Sequence, residues 1–492
     1  MYTKDWLSKW IIYSPNKIAI EEYETGRSIT YAALQTDANK LARILEREEI
    51  TKGDRVLVVA EHSLELVTLF GAAQKTGVII VPINYRLTPF EIEYLVEDCK
   101  PSLILYDEHF LEKTSKIDHT KYPLKSIKEL SMLVKSESAN EYASQQIDDN
   151  DPIFILYTSG TTGNPKGVIY THKMMFWNSL NTTMSIALSA DDHTINCMPA
   201  FHTGGWNVLL TPMLHRGATV GLVKKFDPDY VLELLDQQQS TVFMGVPTML
   251  KMMKDSKTFN KVQLKKLRYF IVGGEALPHP VIKCWHEKEI SIRQGYGLTE
   301  VGPNLTSLHQ DDAESKLGSI GKPNFYLEAK LMDEDFKQVG QGEIGELCLK
   351  GEVVTPGYWQ NEVATQEAFN EGWFKTGDLM TEDADGYLYV VDRKKSMFIS
   401  GGENVYPAEV EKVIATAPGV KEVSVICVPD EKWGEVGKAY LVMTPGTTSE
   451  EVGTYCLDKL AKFKIPKYFA VINELPKNDS GKIDRNALKL LL

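Results

Sequence analysis

Residues 157–167 read YTSGTTGNPKG, directly after the apolar and partly β-branched run Ile153–Leu156. A short run of that kind suits a buried strand. The glycines that follow let the backbone approach a ligand closely, because they carry no side chain and tolerate positive φ. Successive N–H groups can form a concave anion nest. Thr158, Ser159, Thr161 and Thr162 add hydroxyl donors to it, and Lys166 adds a charge on a flexible stem. The order Gly160-x-x-Gly163-x-x-Lys166-Gly167 is not that of a P-loop, and no Gly-Lys-Ser/Thr occurs in the chain. The bland alternative is a Gly/Thr-rich surface turn.

Outward from this stretch, strand and helix patterns alternate. VLVVA (56–60), VIIVPI (78–83) and SLILY (102–106) read as strands. LELVTLFGAAQKTG (64–77) and TPFEIEYLVEDC (88–99) between them read as helices. The pattern returns at TINCM (194–198), ATVGLV (218–223), STVFMGV (240–246) and LRYFIVGG (267–274). Strand–helix–strand repetition implies a parallel-type sheet with helices on its faces, an α/β fold. Residues 110–150 are polar and weakly periodic, and read as a connection with some surface helix. After Gly318, short alternating runs split by glycines suit an antiparallel β-subdomain, and a small α+β unit follows Arg393. The expected division is a large domain 1–393, a joint at 394–396 and a small domain 397–492.

At 492 residues the chain is too long for a single core. A hydrophobic content of 43% with 25% charged residues is ordinary for a water-soluble protein. The net charge of −13 argues against nucleic acid as the main partner. The six cysteines are dispersed without C-x-x-C, which fits reduced thiols and gives no zinc pattern. The N-terminus shows no signal-peptide pattern, and no apolar run approaches the ~20 residues of a membrane span. The expected location is the cytoplasm. Peripheral membrane contact stays open if the substrate is a lipid, as does a homodimer.

Downstream of the opening loop come QGYGLTE (294–300), GYW (357–359), WFKTGDL (373–379), DRKKSMFISGGENVYPAEVE (392–411) and NDSGKIDR (478–485). Together and in this order they resemble the adenylate-forming, AMP-binding family of acyl-CoA synthetases, luciferases and peptide-synthetase adenylation domains. The resemblance runs from about Glu21 to the chain's end and is nearest to fatty-acid–CoA ligases. It implies a large N-terminal domain and a small mobile C-terminal domain turning about a hinge. It also implies a two-step reaction: a carboxylate attacks the α-phosphate of ATP to give acyl-AMP and pyrophosphate, and the thiol of CoA then displaces AMP.

The resemblance assigns roles residue by residue. Thr158, Ser159, Gly160, Thr161, Thr162, Gly163 and Lys166 would hold the β- and γ-phosphates. Glu300 would hold Mg2+, and Thr299 would contact the α-phosphate. Tyr296, with Gly297 beside it, would lie against adenine. Gly274, Glu275 and Ala276 would form the other wall of that slot. Asp378 and Arg393 would bracket the ribose. Lys482 would bridge the acyl carboxylate and the α-phosphate. Lys395 falls on the hinge. Gly401 and Gly402 would line the pantetheine tunnel, and Trp433, Lys462 and Lys464 would contact CoA.

For the acid, His202 would position the carboxylate or shield it from water, and Trp206 would gate the acyl pocket beside Gly245 and Gly297. Acetyl-CoA synthetases carry a tryptophan where Gly297 stands, so an open floor and a medium- or long-chain fatty acid are expected. An aryl acid such as benzoate, cinnamate or o-succinylbenzoate is the nearest alternative. Loading of a separate carrier protein, a luciferase-like oxygenase and a non-catalytic nucleotide binder are the others.

Overall fold

The computed structural model describes residues 3–158, 165–274, 277–400, 403–431, 433–457, 459–460, 462–478 and 481–491, without the side chains of 403 and 404. The chain groups into two compact units. One is Met1–Glu328 with Leu349–Phe374, and the other is Ala329–Cys348 with Lys375–Leu492. The second unit therefore takes in residues 329–348 and 375–393 as well as the 397–492 segment.

The first unit holds a six-stranded sheet in the spatial order Leu124–Ser126, Leu103–Tyr106, Arg55–Val59, Ile79–Pro82, Pro152–Thr158 and Lys166–Thr171. All its pairings are parallel except the last. Within its central strands, residues 56–59, 79–82 and 103–105 are apolar and buried, as expected where helices cover both faces of a sheet. Helix Leu64–Thr76 starts at Ser63, which caps Leu66 N–H, and stops at Gly77 with φ +74°. Helix Pro89–Cys99 opens with a capping box from Thr88 and Glu91. A second sheet runs Val242–Gly245, Tyr269–Val272 and Ser291–Tyr296 in parallel, then adds two short antiparallel strands. A third joins Ile18–Glu22 to Thr219–Leu222 and His193–Asn196. The α/β architecture expected from the alternation is present.

Residues 110–150 are more than a connection. Strand Leu124–Ser126 extends the six-stranded sheet, and helix Ile127–Ser136 buries Ile127, Leu130 and Val134. That apolar stripe is short enough to be masked by the lysines and serines around it.

In the second unit, strands Trp373–Glu382 and Leu388–Arg393 pair antiparallel. A long hairpin of Val420–Asp430 and Gly434–Met443 packs with helices Pro407–Ile414 and Ser449–Leu457 around Phe398, Val410, Ile414, Val425, Leu441 and Cys456. All six cysteines are free thiols. Among the described residues, no helix is long and apolar enough to cross a membrane.

Candidate active site

The opening motif sits at a hairpin mouth. Thr158 ends one strand directly opposite Lys166, which begins the next, and the Thr158 hydroxyl donates to the Lys166 carbonyl at 3.5 Å. Ser159, Gly160, Thr161, Thr162 and Gly163 lie outside the described residues, as do Glu275, Ala276, Gly401 and Gly402.

A remote segment clips onto this hairpin. Trp359 N–H donates to the Gly167 carbonyl at 2.7 Å, and Ile169 N–H donates to the Gly357 carbonyl at 3.1 Å. Tyr358 forms a bridge with Val168. Gly357 has φ +146°, and a Cβ there would meet Thr365 Cγ2 at 2.5 Å, so only glycine fits. This pairing fixes Tyr358 in the middle of a row of three groups. The Lys166 ammonium lies 5.2 Å from the centre of the Tyr358 ring, and the Tyr358 hydroxyl donates to Glu300 Oε1 at 3.0 Å. Burial first, and then the Glu300 charge, raises the Tyr358 pKa, so the phenol keeps its proton and remains a donor. Tyr358 lies within GYW, but nothing in that triplet specifies its partners.

Glu300 stands on the short 3-10 turn Thr299–Val301, which follows strand Ser291–Tyr296. Its carbonyl accepts from Thr355 N–H at 2.7 Å. A carboxylate anchored in this way offers the hard oxygen that Mg2+ selects, so the donor chemistry fits that ion. Tyr296 ends its strand half-buried. Gly274, with φ +92°, lies just past the neighbouring strand, where Val272 is paired with Gln294. The two expected walls of the adenine slot thus leave adjacent strand ends, which is where open α/β sheets bind ligands.

Gly297 is closely packed, contrary to the open floor expected there. A Cβ on Gly297 would lie 2.1 Å from the Pro303 carbonyl oxygen, so this glycine permits close backbone approach and does not open a floor. Gly245 is packed against Leu250 at 2.8 Å, and Gly205 against the Pro199 carbonyl oxygen at 2.3 Å. Trp206 sits in the π-helical turn Gly204–Val208 and is 1% exposed. Its ring packs 5.2 Å from Phe154 and 5.2 Å from His62, and its Nε1 donates to the Ala200 carbonyl at 2.7 Å. In this structure it is core, held shut. Such π-turns are frequent at functional sites. His202, half-buried, lies ahead of this turn with its ring 4.5 Å from that of Phe201.

In the second unit, Asp378 and Arg393 are cross-strand partners, with Arg393 Nε 2.6 Å from Asp378 Oδ1. Asp378 is buried and Arg393 is exposed. Lys395 is exposed in the turn that follows, and Lys394 pairs with Glu346 at 3.0 Å. Lys482 is exposed at the tip of a tight turn. Asn478 closes that turn by accepting Lys482 N–H on its side chain at 3.0 Å and Gly481 N–H on its carbonyl at 2.8 Å. Arg485, three residues on, donates from Nη2 to both Glu411 carboxylate oxygens at 2.8 Å and anchors the segment. Trp433 is exposed in the hairpin turn before Gly434, whereas Lys464 is engaged with Glu409 at 2.6 Å.

Comparison with known proteins agrees with this geometry. The AMP-binding enzyme model matches residues 8–359, and the AMP-binding enzyme C-terminal domain model matches 409–482. A long-chain-fatty-acid–CoA ligase of Mycobacterium tuberculosis is 36% identical over 483 residues, covering 97% of this chain and 95% of the relative. A 2-succinylbenzoate–CoA ligase of Bacillus cytotoxicus is 34% identical over 488 residues, covering 99% and 98%. The o-succinylbenzoate CoA synthetase of Bacillus subtilis, solved with ATP and a magnesium ion, superposes with a TM-score of 0.88 at 31% identity over 99% of each chain. The same synthetase solved with its acyl-adenylate gives 0.89 at 32% identity, covering 99% and 98%. The chain belongs to the AMP-binding enzyme family, in its branch of AMP-forming acid–CoA ligases, whose chemistry uses ATP, Mg2+ and CoA.

Proposed function

We propose that the chain joins a carboxylic acid to CoA through acyl-AMP, with a medium- or long-chain fatty acid as its leading acid. The observation that carries the first step is the row Lys166–Tyr358–Glu300. Bringing a carboxylate onto a phosphate means approaching like charges, which repel by about 4 kcal/mol at ~4 Å under an effective dielectric of ~20. Lys166 offsets that repulsion at the β- and γ-phosphates. Tyr358 holds Glu300 in one orientation, where its oxygen can meet the metal–phosphate assembly. Bound there, Mg2+ would neutralise phosphate charge. Lys482 supplies the charge between acyl carboxylate and α-phosphate, and Asp378 with Arg393 receives the ribose.

For the second step the C-terminal residues turn about Lys395, withdraw Lys482 and bring Gly401, Gly402 and Trp433 to the thiol of CoA. His202 and Trp206 border the acyl side. The leading acid is supported by the 36% identity to a long-chain-fatty-acid ligase. An aryl or succinylbenzoate acid is the second reading, favoured by the closed packing around Gly205, Gly245 and Gly297. The same proposal places the enzyme in the cytoplasm, with peripheral membrane contact when the acid is a lipid and with a homodimer open to test.

The test is pyrophosphate release with ATP, Mg2+ and CoA across acids from acetate to palmitate, with benzoate, coumarate and o-succinylbenzoate added, and thiol loss followed in parallel. A fatty acid giving the fastest release with matching thiol loss is expected. An aryl acid winning would replace the leading acid. Release without thiol loss would make a carrier protein the acceptor.

A further inference from the structure

Strands Arg55–Val59 and Leu103–Tyr106 lie side by side in parallel, with Val59 opposite Tyr106. Both end at the carboxyl edge of the six-stranded sheet, where open α/β sheets bind ligands. Glu61 follows the first strand and Asp107 the second. The Asp107 N–H donates to the Val59 carbonyl at 3.0 Å, so the two carboxylates emerge together. His109 stands just beyond, on the 3-10 turn Glu108–Thr114. Its Nε2 is 3.8 Å from Glu61 Oε2, and its Nδ1 is 3.9 Å from Asp107 Oδ1. One donor atom from each residue lies within 4.8 Å of the other two, and among the described residues this is the one such group of three.

Burial sets Glu61 apart from a solvated acidic surface. Its side chain is 6% exposed, and among the described residues no hydrogen bond reaches its carboxylate. Lys224 and Lys225 act on its charge from beyond ion-pair distance. Burial raises the Glu61 pKa, and His109, Lys224 and Lys225 pull it back only in part. A buried carboxylate short of partners is costly, and a cation shared with Asp107 and His109 would offset that cost. Carboxylates joined by an imidazole suit Zn2+ better than Mg2+, which prefers oxygen alone. Ligands ~2.1 Å from zinc stand roughly 3.4 Å apart, and His109, 53% exposed, is free to close the remaining gap.

Aromatic rings tie this group to the acid's side of the active site. His109 lies 4.1 Å from Phe110, and Phe110 stacks on Tyr85 at 4.7 Å. Tyr85 meets Phe201 edge-on at 5.1 Å, and Phe201 adjoins His202 at 4.5 Å. An ion that fixes His109 would steady this ladder up to the histidine proposed to border the acid.

We propose that Glu61, Asp107 and His109 form a second divalent-cation site, for Zn2+ or an ion of its kind, and that the bound ion steadies the acid's side of the active site. The effect on the acid rests on the acid–CoA ligase reading; the site itself does not.

The experiment titrates the metal-stripped full chain with Zn2+ in excess Mg2+ by calorimetry, and follows visible absorption with Co2+ in place of Zn2+. The wild type should take up one Zn2+. His109→Ala and Glu61→Gln should bind it more weakly by at least the ~10-fold that loss of a mere orienting partner costs. The exposed His109→Ala decides the matter even if Glu61→Gln fails to fold. Glu300→Gln should keep the uptake. No uptake by the wild type, or equal uptake by His109→Ala, overturns the site. Loss of uptake in Glu300→Gln overturns it too, because Zn2+ would then be standing in for Mg2+. Acyl-AMP formation is then measured without CoA, whose thiol would itself bind zinc. One equivalent of Zn2+ should lower the wild type's KM for the acid by about fivefold, with the KM for ATP unchanged, and should leave His109→Ala unmoved. An acid KM that Zn2+ does not move in the wild type overturns the effect on the acid. No acyl-AMP with any acid would instead sink the ligase reading and leave the site standing.

Discussion

The two lysines proposed for one reaction are held in opposite ways. Lys166 begins a paired strand, half-buried, with its ammonium over a tyrosine ring that is itself tied to Glu300. Lys482 stands exposed on a turn that Asn478 closes with three hydrogen bonds. Local stability tracks how densely backbone is paired and packed. A charge needed throughout the cycle therefore belongs on a sheet, and a charge that must arrive and leave belongs on a turn. The histidines are also divided unevenly: all ten lie within residues 62–309, in the first unit, and the second has none.

The sharpest way to break this contrast on the packed side is Trp206→Ala. Removal of a fully buried indole should cost about 3–5 kcal/mol of stability, read by denaturant unfolding. In the surviving enzyme, acid preference should change more than ATP affinity. An unfolding midpoint equal to wild type would show that Trp206 is not held as core. On the exposed side, Lys482→Ala should slow acyl-AMP formation by roughly 10²–10³-fold. Thiolation of supplied acyl-AMP should stay within about threefold, since the lysine is withdrawn by then. Equal loss in both half-reactions would mean that Lys482 does not leave.

Acid should weaken the first unit selectively. Burial lowers His62 and His215 to about 4 and His172 to about 3, against a usual 6.5. The folded state then binds fewer protons than the unfolded state, so the stability held above pH 6.5 is lost as pH falls towards 4. At pH 5 the loss is about 2 kcal/mol per imidazole. His172→Gln should flatten the slope of unfolding free energy against pH. An unchanged slope would remove this imidazole from the account. The smallest expected effect is at the row itself. Tyr358→Phe deletes the hydroxyl that orients Glu300 and should raise the Mg2+ concentration needed for half-maximal pyrophosphate release by about tenfold, the lower end for a hydrogen bond to a charged group. An unchanged Mg2+ requirement would separate Glu300 from the metal.

Some of this was readable from residue order because the cause is local. Apolar strand runs, the Thr88 cap and the Gly77 stop act within a few residues, and each appears where the sequence pattern places it; the Ser63 cap is equally local. The opposition of Asp378 and Arg393 is different: the motifs name both residues, but their pairing needs the register of two strands. Tyr358 carries no pattern beyond GYW, and its role depends on a sheet edge formed with residues some 190 positions earlier.

Glycine is the clearest case of ambiguity. At 297 its missing side chain could mean an open pocket or a close backbone, and the Pro303 carbonyl decides for the second. Trp206 could gate or pack, and its neighbours Phe154 and His62 make it core in this structure. Arg293 lies just outside the QGYGLTE motif, and only the fold shows that it is buried. The sequence by itself determined the alternating α/β architecture and the family, and it singled out the two lysines proposed for the phosphate chemistry, because periodicity and short motifs are properties of neighbouring residues. Only the tertiary structure decided which glycines are filled, which tyrosine reaches Glu300 and which arginine is buried. Burial and pairing depend on residues far apart in the chain.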